Sequence, residues 1–228
     1  MRPVDRGLAP RTYAQYGDAI GDLEDRLGTY CSYCERRLPV SLAVEHMSPK
    51  SVHPDLELEW DNFLLGCTNC NSLKGDEDVS DDETLWPDRD NTLLAFAYSE
   101  GGFVRIGPGL TDDQRTRAQA LIDLAGLDRH GAQGWNRPAA RDKRWRQREE
   151  VWSLAEQCRT HYETLNRSDA ALDLVTGVAA GYGFFSVWMT VFETYPKVRS
   201  ALIETFPGTS QSCFDNDGEA VNRPGGTI

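Results

Sequence analysis

Two Cys-x-x-Cys pairs, Cys31-Ser32-Tyr33-Cys34 and Cys67-Thr68-Asn69-Cys70, stand 32 residues apart in a chain of 228. Each pair forms a knuckle whose two thiolates point at one tetrahedral centre, at about 2.3 Å per zinc–sulfur bond. No other feature constrains the fold as tightly, because everything between the pairs must leave one point and return to it. Merely buried thiols, or one redox pair, would not call for two matched pairs. Four thiolates fill the coordination sphere of zinc, so the expected site is structural and has no open position for water. Cys158 and Cys213 lie apart from the pairs and read as isolated thiols.

The N-terminal stretch MRPVDRGLAPRTYAQYGDAI has no apolar run followed by a small-residue cleavage site, so no signal peptide is expected and the chain reads as cytoplasmic. Cysteines in that setting point to metal before disulfides. The formal net charge is −12. Residues 1–100 carry 20 acidic against 9 basic side chains, concentrated in KGDEDVSDDETLWPDRD around Asp76 to Asp90. Such a chain binds free nucleic acid poorly, since phosphate neutralisation by Lys and Arg supplies most of that affinity. Any nucleic-acid chemistry would need metal ions or a partner. The acidic stretch itself reads as a solvated loop.

Hydrophobic spacing organises the rest. Tyr13, Tyr16, Ile20, Leu23 and Leu27 predict an amphipathic helix over 11–29, stopped at Gly28. Val40, Leu42 and Val44 alternate in a strand over 39–45, and Pro49 and Pro54 keep the stretch from Ser48 to Asp61 irregular. Phe63 to Gly66 is a short apolar run, and Thr68 to Lys74 opens a helix. Leu93 to Ile106 predicts a hairpin turning at Gly101-Gly102. Helices follow from Thr111 to Leu124, over 138–166, 168–192 and 196–205, and the tail from Thr209 reads as loose. No internal repeat is present.

The segments VEHMSPKS (44–51), WDNFLLGCTNC (60–70) and NSLKG (71–75) carry the chemistry. Glu45 and His46 end the strand and point to opposite faces, so one can hold metal while the other holds water. Asn71 and Lys74, three apart on a helix, share a face that offers an oxygen ligand and a cation. An imidazole with an ordinary pKa of about 6.5 accepts a proton at physiological pH.

The pattern Glu-His-x-x-Pro-Lys, then Asn62, then Cys-x-x-Cys-Asn71-x-x-Lys74-Gly75 resembles the HNH (ββα-metal) endonuclease motif, with Asn in its third position. The resemblance implies that His46 deprotonates the attacking water and that Glu45 and Asn71 hold one catalytic ion, Mg²⁺ or Mn²⁺. It also implies that Asn62 braces the loop orienting His46 and that Lys74 contacts phosphate. Replacing the commoner final His by Asn71 keeps an oxygen donor suited to a hard cation. MRPVDRG, YCSYCE, GFFSVWMTVF and FPGTSQSCFD extend the likeness to bacterial HNH chains of the Septu type of anti-phage system, which accompany an ATPase of the PtuA type.

The expected fold is α+β. An N-terminal helix and a zinc-stabilised ββα core occupy 1–90, a hairpin and mainly helical lobe 91–208, and the tail 209–228. The expected activity is hydrolysis of phosphodiester bonds in DNA, with RNA also open, in a defence complex. The alternative is a non-catalytic zinc adaptor binding nucleic acid or protein. The basic run Arg137 to Arg148, with Arg141, Arg144, Trp145 and Arg148, is a candidate nucleic-acid surface together with Lys50, or else a solvated helix pairing with acidic neighbours. His53 reads as a solvent-exposed loop residue, and His130 and His161 carry no assigned role. Val175 to Phe192 bears no charge; its Gly, Ser and Thr content favours a buried or partner-docking helix over a membrane span.

Overall fold

The computed structural model describes residues 1–228. Helix α1 (Ile20–Leu27) follows a 3-10 turn over Tyr16–Ala19, buries Leu23 and Leu27, and ends at Gly28 with φ 71°. It is shorter than the expected 11–29. Arg11 and Tyr13 both hold the Asp22 carboxylate, and Tyr13 stacks on Trp60 at 6.0 Å. Those contacts keep residues 11–15 outside the helix, so tertiary packing overrides local periodicity here.

Strand β1 (Leu42–His46) pairs antiparallel with β2 (Phe63–Cys67), setting Leu42 against Cys67, Val44 against Leu65 and His46 against Phe63. The strand begins later than expected because Ser41, at φ 76°, turns the chain and leaves Val40 in solvent. All five residues of β2 are buried, and it runs without a break into α2 (Thr68–Lys74), which stops at Gly75. The strand–loop–strand–helix order expected between the cysteine pairs is present.

Beyond this unit come α3 (Thr92–Ala95) and the hairpin of β3 (Phe96–Ser99) and β4 (Phe103–Ile106). Gly102 sits where a Cβ would lie 2.1 Å from the Trp145 carbonyl oxygen, so only glycine lets the hairpin approach the following helix. Helix α4 (Asp112–Ala125) is opened by a reciprocal Thr111–Gln114 capping box and closed by left-handed Gly126. Helix α5 (Arg144–Thr164) starts later than the expected 138, because Asp142 turns its carboxylate onto the Arg144 backbone and guanidinium.

The expected helix over 168–192 is broken into α6 (Asp169–Tyr182) and α7 (Phe185–Val191). Gly183 and Phe184 both take positive φ, and the Phe184 amide donates to the Glu35 carbonyl at 2.9 Å. Ser186 Oγ donates to the Glu35 carboxylate at 2.6 Å. The break therefore docks the helical lobe onto the first cysteine knuckle. Helix α8 (Pro196–Thr205) matches the expected bounds.

The tail is not loose. Ser210 donates to Pro3, Asn91 donates to Ile228, Thr227 donates to Asp90, and Arg223 donates to Val4. Its Gly, Asn and Ser content builds turns, with Cys213 and Ile228 buried beneath them. One apolar core runs from Met1 and Val4 through β2 and α7 to Ile228. The fold is α+β, and no helix is long and apolar enough to cross a membrane.

Candidate active site

The four sulfurs of Cys31, Cys34, Cys67 and Cys70 lie within 4.8 Å of one another, and all four residues are buried. The Cys34 and Cys67 sulfurs are 3.7 Å apart. A tetrahedron with bonds of about 2.3 Å has an edge of about 3.8 Å, so the cluster has the size that zinc requires. Backbone pairing locks the first knuckle to β2: Ser32 donates to the Leu65 carbonyl at 2.8 Å and accepts from the Leu65 amide at 3.2 Å. The second knuckle is the end of β2 and the first turn of α2.

Four thiolates around a divalent ion leave a net charge of about −2, and buried donors compensate it. Arg144 Nη1 donates to the Cys70 sulfur at 3.1 Å, and the Cys67 amide donates to the Cys31 sulfur at 3.3 Å. Burial disfavours the charge on Arg36, but the Cys34 and Cys67 sulfurs beside it outweigh that and raise its pKa. Four cysteines are thus positioned to bind a metal ion, in a donor set and charge environment consistent with zinc.

Next to this frame, Glu45, His46, Asn71 and Lys74 line one cavity of about 170 Å³, together with Tyr16, Lys50 and Asp76. His46, at the end of β1, is 8% exposed. Its Nε2 lies 3.0 Å from the Glu57 carbonyl oxygen. A carbonyl only accepts, so Nε2 carries the proton and Nδ1 keeps its lone pair. Burial lowers the His46 pKa, with Lys50 and Lys74 adding to the effect and the Glu57 carbonyl opposing it, which keeps the ring neutral.

Asn62 clamps the loop that carries this carbonyl. Its Oδ1 accepts from the Ser48 amide at 2.7 Å, and its Nδ2 donates to the Ser48 and Leu56 carbonyls at 2.9 and 3.2 Å. Glu45 is buried beside Lys74, whose Nζ lies 3.3 Å from Oε1. Burial raises the Glu45 pKa, and the Lys74 ammonium pulls against it. Lys74 is itself only 3% exposed and engaged with this carboxylate rather than open to solvent.

Two arginines of the basic run do not face solvent. Arg144 is buried and donates to Asp142, Cys70, Ala125 and Gly126. Arg148 is equally buried, donating to the Gly102 and Leu127 carbonyls. Both guanidiniums are spent on acceptors inside the protein and cannot meet a phosphate. Trp145 packs against His130 at 4.3 Å, and Arg141 is exposed. Lys50 remains beside the cavity, its ammonium 4.0 Å from the Tyr16 ring centre. His53 pairs with Asp78 at 3.0 Å in the outer loop, and His130 contacts the Gly101 carbonyl at 2.8 Å.

Sequence spacing missed Tyr16, Arg36, Arg144 and the Glu57 carbonyl as parts of these two centres. Tyr16 fell on the apolar face of an amphipathic pattern, a backbone carbonyl has no sequence signature, and the charge of Arg144 pointed outward on pattern alone. Only Arg36, a cation two residues past Cys34, carried a local signal.

A cysteine-framed ββα unit with a histidine ending its first strand defines a class of protein. Residues 31–77 match the HNH endonuclease family model, and this segment of the chain is an HNH domain. Among curated proteins, the Septu protein PtuB of Bacillus thuringiensis is 38% identical over 74 residues, covering 30% of this chain and 29% of that protein. The chain thus aligns with less than a third of that relative's length.

Proposed function

We propose that the chain is a metal-dependent endonuclease in which His46 is the general base for phosphodiester hydrolysis. The observation that carries this is the Nε2–Glu57 hydrogen bond, which reserves Nδ1 of a neutral imidazole as proton acceptor beside an oxygen-donor pair. His46 takes a proton from water, the resulting hydroxide attacks phosphorus, and the bond to the 3′-oxygen breaks. The leaving 3′-oxygen takes up a proton from water, so the products are a 5′-phosphate and a 3′-hydroxyl. Asn62 holds the loop and thereby the orientation of His46.

Glu45 and Asn71 suit a hard divalent ion such as Mg²⁺ or Mn²⁺. They would hold it through two oxygen donors at one cavity. When bound, such an ion would polarise the phosphoryl oxygen and stabilise the leaving oxygen. Lys74, paired with Glu45 at 3.3 Å, would bring a positive charge to the same cavity as the phosphate. Zinc in the four-cysteine site serves the frame only.

The likeness to a Septu protein, with the formal charge of −12, supports a place in a bacterial anti-phage complex acting on DNA with an ATPase partner of the PtuA type. A negatively charged chain gains substrate affinity from such a partner. Supercoiled plasmid incubated with the chain and Mg²⁺ or Mn²⁺, with and without the partner ATPase, tests the reading against an EDTA control. Metal-dependent nicking with 3′-hydroxyl ends is expected. No cleavage under any metal or partner condition would favour the non-catalytic zinc adaptor instead.

A further inference from the structure

The imidazole of His46 sits in a closed circuit of contacts, one member of which lies outside the HNH domain. Nε2 donates to the Glu57 carbonyl at 3.0 Å, and the Glu57 carboxylate lies 3.5 Å from the Lys50 ammonium. That ammonium stands 4.0 Å from the centre of the Tyr16 ring. The Tyr16 ring returns to His46 edge-on, with centres 5.0 Å apart and planes at 70°. Phe63, paired with His46 across the strands, closes the other side at 5.2 Å and 89°. Tyr16 comes from the 3-10 turn before α1, whereas the domain match begins at Cys31.

We infer that Tyr16 is a positioning residue for His46, supplied by the N-terminal segment, which holds the imidazole in the orientation and tautomer that leave Nδ1 as acceptor. Two aromatic edges at steep angles leave the ring little freedom to rotate about its bond to the strand, and edge contacts of this kind are directional. Lys50 cements the arrangement from outside, because a cation over the Tyr16 face is attracted to that ring while its charge is shared with Glu57. Without Tyr16 the solvent side of the imidazole is open, and the ring can flip to offer the wrong nitrogen. The N-terminal segment then belongs to the catalytic apparatus rather than serving only as packing for β1. The contacts to His46 and Lys50 that carry this role are made by the aromatic ring.

This inference rests on His46 acting as base, so its test has one readout that does not need activity. In the full zinc-loaded chain, Tyr16→Phe is compared with Tyr16→Leu and Tyr16→Ala. Leucine keeps apolar volume where alanine destabilises the turn. Cleavage by the Leu and Ala variants should lose about 10- to 100-fold in kcat, as expected of a displaced catalytic group, with KM held within about twofold. The Phe variant should stay within about twofold of the parent chain. Long-range ¹H–¹⁵N spectra of the His46 ring should show one Nε2-protonated tautomer in the parent and Phe forms, and a mixture in the Leu and Ala forms. A single unchanged tautomer and unchanged kcat in folded Tyr16→Leu would overturn the inference, as would a Phe variant as slow as Leu. If the parent chain cuts nothing under any metal or partner condition, the nuclease reading falls, and the tautomer spectra still decide the role of Tyr16.

Discussion

Asn62 makes three hydrogen bonds to the ends of a loop whose next residue, Glu57, fixes the tautomer of His46. Replacing Asn62 with alanine leaves the Ser48 amide and the Ser48 carbonyl without partners, while the Leu56 carbonyl keeps the Glu59 amide. Each unsatisfied buried group costs about 1–3 kcal/mol, with water recovering part of it at this half-open loop. We expect Asn62→Ala to lower the unfolding free energy by about 1–3 kcal/mol and to slow cleavage more than it weakens substrate binding. Chemical denaturation and single-turnover kinetics measure the two effects separately. A variant with lowered stability and full activity would confine Asn62 to a structural role.

The elements depend on the frame that the cysteines close. The pairs join the turn after α1 to the end of β2 and the start of α2, and through Glu35 they also hold the break between α6 and α7. Structural zinc sites contribute on the order of 10–16 kcal/mol in small domains. Stripping the metal with a strong chelator should therefore collapse near-UV circular dichroism and release α7, and added zinc rather than magnesium should restore both. An unchanged spectrum after verified metal removal would contradict a structural zinc. At this scale the core was legible in the chain: two strands and a helix follow from the spacing of the cysteines, the apolar run from Phe63 and the stop at Gly75. The break at Gly183 was not, because an uncharged helical pattern runs through it. Tertiary bonds from Phe184 and Ser186 to Glu35 select the bend.

Across the whole molecule, charge and burial part company. Arg144 and Arg148 recur at a helical interval that places them on one face of α5, and sequence alone gives no sign that this face is turned inward. The structure sends that face to the Cys70 sulfur and to the carbonyls after α4, while Arg141 stays in solvent. Arg148→Glu should then unfold the chain or prevent its accumulation, since an unpaired buried charge costs several kcal/mol, about 3–5 where a partner is lost. Arg141→Glu should leave the melting temperature within about a degree, as a surface change worth less than 0.5 kcal/mol. Thermal melts of the two variants distinguish them, and equal tolerance would contradict the burial of Arg148. The packing of the tail is hidden from sequence for a related reason: residues suited to turns serve equally in loose and in packed segments, and here Asn91, Asp90 and Val4 bind it down.

His46 is the proposed proton acceptor. Its most direct test is the single-turnover cleavage rate of His46→Ala against the parent chain, with Mg²⁺, matched substrate occupancy and zinc content confirmed. Loss of the base should lower the rate by about 10²- to 10⁴-fold while the fold and the metal content stay unchanged. Cleavage at the parent rate by the folded, zinc-loaded variant would contradict the assignment.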